Sequence, residues 1–97
     1  MFKILRTSEA EQNLNHLKTN KSLEKRYRAV VKAIKFLADN PKHSGLQTHP
    51  FESLSGPNGE KVFEAYAEQN TPAAYRIFWF YGPQRGEITL LAITPHP

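Results

Sequence analysis

The sequence predicts an α+β domain with the element order β-α-α-β-β-β, in which a helical hairpin packs on one face of a mostly antiparallel sheet. Two observations support this prediction. Apolar residues recur at helical spacing in the first 40 residues, and two runs rich in β-branched and aromatic residues close the chain. We expect residues 1–97 to form a single domain, because 97 residues provide one hydrophobic core and not two.

The N-terminal segment predicts a short strand followed by a helix. The strand spans Phe2 to Leu5. Ser8 and Glu11 then have the capping-box spacing, in which a hydroxyl and a carboxylate each satisfy an unpaired backbone N–H. We therefore expect the first helix to open at Ser8, with Glu11 reaching back to its start.

The second helix has the clearest pattern in the chain. Its apolar residues recur four, three, four and three positions apart and share one helical face: Leu23, Tyr27, Val30, Ile34 and Leu37. Ser22 is the expected cap. The helix ends at Asn40, because Pro41 disfavours the helical conformation in the residue before it. Two consecutive helices of this kind are expected to pair as a hairpin.

The second half of the chain predicts a loop and then three strands. Residues 41–59 read as the loop, because prolines and glycines interrupt any periodic pattern there. The strands are expected over Lys61–Glu68, Ala74–Tyr81 and Glu87–Thr94. A five-residue turn containing glycine joins the last two, so they should pair antiparallel.

Composition favours an anionic partner for this chain. The formal net charge is +4 and the isoelectric point is near 9.5. The absence of cysteine excludes disulfides and thiolate chemistry. No apolar run approaches a membrane span, and Met1 to Arg6 is too short for a signal peptide, so we expect a cytoplasmic protein without a membrane partner.

The strand over residues 74–81 carries one arginine among aromatic residues. Alternation places Arg76, Phe78 and Phe80 on the face of the sheet away from the helices. A guanidinium fork suits a phosphate and flat rings suit unstacked bases, so this face predicts RNA binding. The alternative is that the two phenylalanines form an interface with a second copy or another protein, while Arg76 pairs with an acidic residue.

His96 directly follows the last predicted strand and is the candidate proton donor. An unperturbed imidazole titrates near neutrality, so it can protonate a leaving oxygen. The alternative is a terminal histidine without function, because chain ends are often loosely held.

Further candidates lie in the predicted loop and on the second helix. His49 and Glu52 are candidate bases, and the alternative is a solvated surface loop. Lys25 and Arg28 belong to a basic stripe that is either a solvated helix face or an RNA-docking surface. The histidine spacing fits no zinc site, so neither a metal nor another cofactor is expected.

The element order, the segment Tyr75-Arg76-Ile77-Phe78-Trp79 and the closing segment from Leu90 to His96 together resemble the RelE/ParE superfamily of toxins. The resemblance covers nearly the whole chain. It implies the toxin of a type II toxin–antitoxin system, held inactive by a cognate antitoxin protein. In the RelE/YoeB-like branch, which the resemblance favours, it implies a metal-independent mRNA endonuclease (an mRNA interferase and hydrolase) acting on the ribosome.

The ParE-like relatives give a different expectation for the same fold. They act on DNA gyrase, so the alternative is a non-enzymatic member, either gyrase-directed or a dimeric binding protein. A homodimer is therefore one of the expected assemblies.

The resemblance assigns roles to particular residues. Arg76 matches the arginine that stabilises the scissile phosphate. His96 matches the general-acid histidine of the YoeB-like branch. Glu52 lies in the loop that carries the base glutamate in that branch, and His49 is an equal contender.

Two departures concern residues near this site. Where RelE-type toxins place paired lysines on the second strand, this chain has Glu64 and Tyr66, and Pro97 stands where a tyrosine is common. We expect Tyr66 and Lys61 to contribute RNA contacts. Fewer cations weaken phosphate binding, so either the chemistry depends on the arginine, the terminal histidine and a loop base, or the site is reduced.

Overall fold

The computed structural model describes residues 1–96, so Pro97 lies outside the described residues. The elements are β1 (Lys3–Arg6), α1 (Ser8–Thr19), α2 (Glu24–Asp39), β2 (His49–Ser55), β3 (Lys61–Tyr66), β4 (Tyr75–Tyr81) and β5 (Glu87–Pro95). Two one-turn 3₁₀ helices lie at Lys21–Leu23 and Ser44–Leu46. Neither α-helix in this range has the length and apolarity needed to cross a membrane.

The strands form one sheet in the order β1-β5-β4-β3-β2. Only the β1–β5 pair is parallel, and the three other pairs among the described residues are antiparallel. The helices pack against one face of this sheet. The predicted α+β class, with a helical hairpin on a mostly antiparallel sheet, is confirmed.

Strand β2 corrects the prediction of a loop over residues 41–59. It is an edge strand, antiparallel to β3, and most of its side chains are exposed. Pro50 has no N–H to donate, and the register with β3 shifts between Pro50 and Ser55. Because only Phe51 is half-buried, the strand carries no alternating apolar pattern that a sequence reading would detect.

Helix α1 is capped by a different residue from the one predicted. Thr7, and not Ser8, is the N-cap, and its hydroxyl oxygen accepts a hydrogen bond from the Ala10 N–H at 3.1 Å. The Glu11 carboxylate pairs with Arg6 at 3.0 Å. The predicted capping box is therefore wrong. The capping hydroxyl belongs to Thr7 and not to Ser8, and the Glu11 carboxylate pairs with Arg6 and not with a backbone N–H at the start of the helix.

Helix α2 buries the predicted apolar face. Its residues in or against the main core include Tyr27, Val30, Ala33, Ile34 and Leu37. Ser22, which the sequence predicts as the N-cap of this helix, does not cap it. The Asn20 side chain caps the preceding 3₁₀ turn, and α2 starts after Leu23 without a side-chain cap.

Each face of the sheet carries a hydrophobic cluster. Tyr75, Ile77 and Trp79 of β4 face the helices, as predicted, and belong to the main core. Phe78 belongs to a smaller cluster on the opposite face, which also contains Val62, Ala92, Phe51 and Leu91. The face opposite the helices is therefore partly covered and not bare.

The expected exposure of Phe78 and Phe80 is wrong. Their exposed fractions are 4% and 3%. Phe51 of the unpredicted strand β2 packs on Phe78, with ring centroids 4.8 Å apart. In this conformation neither buried ring is available to stack on an RNA base or to form a dimer interface.

Helix α1 holds the last part of β5, where β1 has already ended. Strand β1 stops opposite Leu90, so the remainder of β5 has no strand on that side. The Thr7 hydroxyl donates to the Leu91 carbonyl at 2.8 Å, and the Asn13 Oδ1 accepts from the Ile93 N–H at 2.9 Å. These contacts satisfy backbone groups that would otherwise be buried without partners, and they fix the strand that leads to the terminal histidine.

Replacing Asn13 by alanine is expected to lower the free energy of unfolding by about 1–3 kcal/mol, because the buried Ile93 N–H loses its acceptor. Asn15→Ala is the matched control, since Asn15 is exposed two residues further along the same helix. The control should change stability by less than about 0.5 kcal/mol. Urea unfolding followed by circular dichroism measures both, and equal effects would contradict the role given to Asn13.

Candidate active site

Arg76 lies on the sheet face opposite the helices, and Glu64 of the neighbouring strand neutralises it. Arg76 Nη1 donates to Glu64 Oε2 at 2.7 Å, a charge-assisted hydrogen bond. The side chain of Arg76 is 15% exposed and that of Glu64 is 3% exposed. The alternative expectation, that Arg76 pairs with an acidic residue, is confirmed.

Aromatic rings support the Arg76 guanidinium. Its central carbon lies 4.8 Å from the centroid of the Phe78 ring and 6.0 Å from that of Phe51. Arg76 Nε is buried and makes no hydrogen bond within residues 1–96. The two rings and the Glu64 carboxylate together restrict the position of the guanidinium. Because Phe78 itself is buried, it can influence a ligand only by positioning Arg76.

His49, at the start of β2, joins the same cluster. Its Nε2 lies 2.7 Å from Glu64 Oε1, and its Nδ1 lies 3.0 Å from the Gln47 carbonyl oxygen. Both neighbours are hydrogen-bond acceptors, and a neutral imidazole can donate to only one of them. Both ring nitrogens therefore face acceptors, and His49 must leave at least one contact before it can act as a base.

Tyr66 borders the cluster from β3. It lies directly opposite Arg76 in the sheet, and its ring is 5.7 Å from that of His49. Burial raises the pKa of Tyr66 above 10.0, and the Glu64 carboxylate, which accepts a hydrogen bond from the hydroxyl, raises it further. Arg76 opposes this effect. The phenol is therefore neutral at physiological pH and donates to Glu64.

Glu64 is the centre of this cluster. From the sequence alone it stands out only because RelE-type toxins have a lysine at this position. Its carboxylate accepts from Arg76 and Tyr66, and His49 Nε2 lies 2.7 Å from its second oxygen. A signal was present in the sequence: Glu64 is a carboxylate among apolar residues in a predicted strand of the sheet, and such a group is rarely buried without a partner. The sequence does not identify that partner, because the strand register decides it.

His96 directly follows β5, beside the strand β4 that carries Arg76. Thr94 is the register partner of Arg76, and strand alternation predicts that His96, one residue past the end of β5, lies on the same face. Diagonal neighbours of this kind have their Cα atoms about 7–8 Å apart. The His96 N–H donates to the Ala74 carbonyl at 2.8 Å, so the backbone of His96 continues the pairing between β4 and β5.

An open cavity of about 330 Å³ lies beside these residues. His96 and Tyr66 form part of its wall. The rest of the wall comes from the turns before β2 and between β3 and β4: Gln47, Glu68, Gln69, Asn70, Thr71, Ala73 and Ala74. The cavity therefore adjoins the two predicted site residues that flank Arg76.

Other predicted site residues lie apart from this cluster. Glu52 is exposed on β2 and makes no hydrogen bond or ion pair with Arg76 or His49 in the described chain. The Lys61 ammonium lies 5.8 Å from the ring of Phe63, which packs against the core on the helix side of the sheet. Their proposed roles stay predictions, and the structure does not bring them to Arg76.

Lys25 and Arg28 lie on α2, with the sheet between them and Arg76. Both are outside the core, and Arg28 pairs with Glu24 at 3.4 Å along the helix. This stripe has the character of a solvated helix face, and an RNA contact through it remains a prediction.

The fold is similar to that of solved toxin structures, although the sequences differ widely. The YoeB/ParE toxin from Agrobacterium tumefaciens superposes with a TM-score of 0.70 at 9% identity, covering 98% of this chain and 99% of that one. A chain of the archaeal RelE–RelB complex from Pyrococcus horikoshii OT3 gives 0.64 at 15% identity, covering 97% and 93%. A copper-bound mutant toxin from Helicobacter pylori gives 0.62 at 16% identity, covering 99% and 96%.

No protein-family model and no curated protein matches the sequence. At these identities the structural similarity establishes the fold alone. The predicted likeness to the RelE/ParE toxins is therefore confirmed at the level of the fold, which the chain shares over nearly its whole length.

The Tyr66 hydroxyl is expected to ionise above pH 10.0 in the folded protein. The folded state holds this proton more tightly than the unfolded chain does. Its contribution to stability is thus complete below the unfolded pKa and is lost as the pH rises through the folded pKa. Glu64→Gln should lower the pKa of Tyr66, because it removes a neighbouring negative charge.

The ¹³C shift of the Tyr66 ring carbon bonded to the hydroxyl, followed against pH, measures this titration. Tyr27 on α2 provides a reference signal in the same sample. An unchanged Tyr66 titration in Glu64→Gln would show that the carboxylate does not act on the phenol.

Proposed function

We propose that the chain is the toxin of a type II toxin–antitoxin system and cleaves mRNA on the ribosome, with Arg76 and His96 as catalytic residues. The observation that supports this proposal most directly is that Arg76 of β4 lies in register with Thr94, two residues before His96, and that His96 borders an open polar cavity. The shared fold with a YoeB/ParE toxin and a RelE–RelB complex supports the toxin class and a protein antitoxin as partner.

The reaction is an acid–base transphosphorylation. A ribose 2′-oxygen attacks the adjacent phosphorus, the bond to the 5′-oxygen breaks, and a 2′,3′-cyclic phosphate forms. Arg76 binds the negative charge that develops on the phosphate oxygens, which is worth about two to three orders of magnitude in rate. His96 gives a proton to the departing 5′-oxygen, which adds about two to four orders.

In the proposed reaction the phosphate takes the position on Arg76 that Glu64 holds in this structure. Glu64 already accepts the hydrogen bond from Arg76 Nη1, so an incoming phosphate exchanges with it. A carboxylate that loses its cationic partner binds a proton more readily. Glu64, freed in this way, is the acceptor that we assign to the 2′-OH proton, either directly or through His49.

This assignment differs from the expected loop base. Glu52 is exposed and has no contact with Arg76. His49 meets acceptors at both ring nitrogens. Glu64 is the carboxylate that already contacts Arg76.

Arg76→Ala is expected to reduce cleavage of ribosome-bound mRNA by about 10²–10³-fold, and His96→Ala by about 10²–10⁴-fold. Glu64→Gln should lower cleavage without weakening RNA binding, since it removes the competing charge from Arg76. Arg85→Ala is the matched control, because it removes the same charge from the exposed β4–β5 turn and should leave the rate unchanged.

Cleavage in a reconstituted translation reaction and growth arrest on induction provide the two measurements, with circular dichroism to verify folding. Full activity in Arg76→Ala and His96→Ala would overturn the proposal. Glu52→Gln separates the two base assignments, because it should lower cleavage only if the loop glutamate is the base.

The Arg76–Glu64 ion pair favours a second candidate, a non-enzymatic toxin of the same fold. A neutralised arginine is a weak phosphate ligand, and paired lysines are missing from β3. In this case growth arrest should survive Arg76→Ala, and the purified protein should inhibit gyrase supercoiling without cleaving RNA. The same panel of variants therefore separates the two candidates.

A further inference from the structure

We propose that Arg26 of α2 is a positioning residue, which holds His96 in place beside Arg76 by anchoring the β3–β4 turn (residues 67–74). This inference rests on the proposed endonuclease function and adds to it a residue that sets the geometry of the proton donor. Arg26 is partly buried, and its guanidinium reaches the turn from the helix layer. The same turn carries the carbonyl to which the backbone of His96 is bonded.

The Arg26 guanidinium binds two consecutive carbonyls of the β3–β4 turn. Its Nη1 donates to the Ala73 carbonyl at 2.9 Å, and its Nη2 donates to the Pro72 carbonyl at 3.1 Å. A guanidinium presents its donors in a rigid planar fork, so two such bonds fix the orientation of the peptide groups as well as their position. A lysine ammonium at the same place has no such fork.

Glu68 joins the same guanidinium to the start of β4. Its Oε1 accepts hydrogen bonds from Arg26 Nη1 and from the Tyr75 N–H, each at 3.0 Å. The Glu68 side chain is only 10% exposed, and a carboxylate buried to this extent requires such partners. The guanidinium carbon of Arg26 also lies 5.8 Å from the centroid of the Tyr75 ring. Both ends of the turn are therefore tied to α2.

The β3–β4 turn needs an anchor, because part of its backbone is strained. Asn70 and Ala73 have positive φ, at 58° and 54°, a conformation that residues other than glycine seldom adopt. Asparagine tolerates it through local hydrogen bonds of its side chain, and alanine has no group that can do so. Such a conformation persists only when the surrounding structure enforces it. The bond from Arg26 to the Ala73 carbonyl acts on the strained residue itself.

The residue after Ala73 holds the backbone of His96. The Ala74 carbonyl accepts a hydrogen bond from the His96 N–H at 2.8 Å, which continues the pairing of β4 and β5 past the last register pair, Tyr75 and Pro95. The path from helix to proton donor is therefore short, because Arg26 fixes one carbonyl and the next carbonyl along the chain holds His96. If the turn relaxes, His96 loses the acceptor that fixes its backbone.

Arg76 is held by contacts outside the β3–β4 turn. Glu64 of β3 accepts the hydrogen bond from its Nη1, and the centroid of the Phe78 ring lies 4.8 Å from its guanidinium carbon. Loss of the Arg26 anchor therefore displaces His96 and leaves the Arg76 guanidinium in place. The expected defect is specific to proton donation, which distinguishes positioning from a general loss of structure.

Three variants test this role. Arg26→Ala removes the anchor. Arg26→Lys keeps the charge and loses the fork, so it separates position from charge, and it carries the test if the alanine variant fails to fold. Arg85→Ala is the matched control, because it removes the same charge from the exposed β4–β5 turn. Circular dichroism verifies the fold of each variant.

Hydrogen exchange of the His96 N–H measures the anchor without any need for activity. In both Arg26 variants this amide is expected to exchange about two- to tenfold faster, because its bond to the Ala74 carbonyl weakens. The Ile93 N–H, which donates to the Asn13 side chain, is the internal reference and should exchange at the parent rate. The control should leave both amides unchanged.

Cleavage of two substrates provides the second measurement. On ribosome-bound mRNA with the natural 5′-oxygen at the scissile bond, Arg26→Ala is expected to lower kcat about 10²-fold with KM unchanged, because the acid is displaced. Sulfur in place of that oxygen leaves as a thiolate without protonation, so the sulfur substrate should restore the rate of Arg26→Ala.

If His96 exchanges at the parent rate in both Arg26 variants, the positioning role is wrong, and cleavage by the parent still upholds the proposed function. A kcat defect of the same size on the sulfur substrate also overturns the role, because it shows a general loss of structure. If the parent does not cleave, the proposed function fails, and the exchange of the His96 N–H decides by itself whether Arg26 holds this residue.

Discussion

The buried carboxylate of Glu64 is the interaction on which the polar face of this sheet depends. An unpaired charge at such a position costs several kcal/mol, and removal of one partner from a buried pair typically costs about 3–5 kcal/mol. Arg76 of β4 compensates the charge at 2.7 Å, and His49 Nε2 of β2 lies at the same distance from the other carboxylate oxygen. One carboxylate thus links β2, β3 and β4, and it holds the edge strand whose Phe51 covers Phe78.

This constraint also shapes the chemistry. Arg76, which meets the phosphate in the proposed reaction, already donates to a carboxylate of its own chain. Under that proposal, RNA therefore competes with Glu64 for the guanidinium. A phosphate has the advantage of several oxygens that accept from a guanidinium fork in parallel. The sequence suggests that Phe78 stacks on a base, whereas in this fold Phe78 and Phe51 contact the Arg76 guanidinium.

The sequence predicts the elements whose side chains are buried on one side in a regular period. The stripe of α2 and the alternation of β4 are of this kind, and the family resemblance adds the position of His96 at the end of β5. Strand β2 escapes prediction because it is an exposed edge with a proline and one half-buried ring. Thr7 and Ser8 both carry a hydroxyl that can cap α1. The position at which β1 ends determines which of the two is the N-cap. The role of Glu64 depends on a register that places it diagonally from Arg76 on the neighbouring strand, which no local pattern specifies.

In the proposed mechanism His96 protonates the leaving oxygen of a phosphate held by Arg76. The most direct test is cleavage of an mRNA that carries sulfur in place of the 5′-oxygen at the scissile bond, because a thiolate leaves without protonation. If His96 is the acid, this substrate restores cleavage by His96→Ala to near the parent rate and leaves Arg76→Ala impaired. If His96→Ala is as slow on the sulfur substrate as on the oxygen substrate, His96 is not the acid.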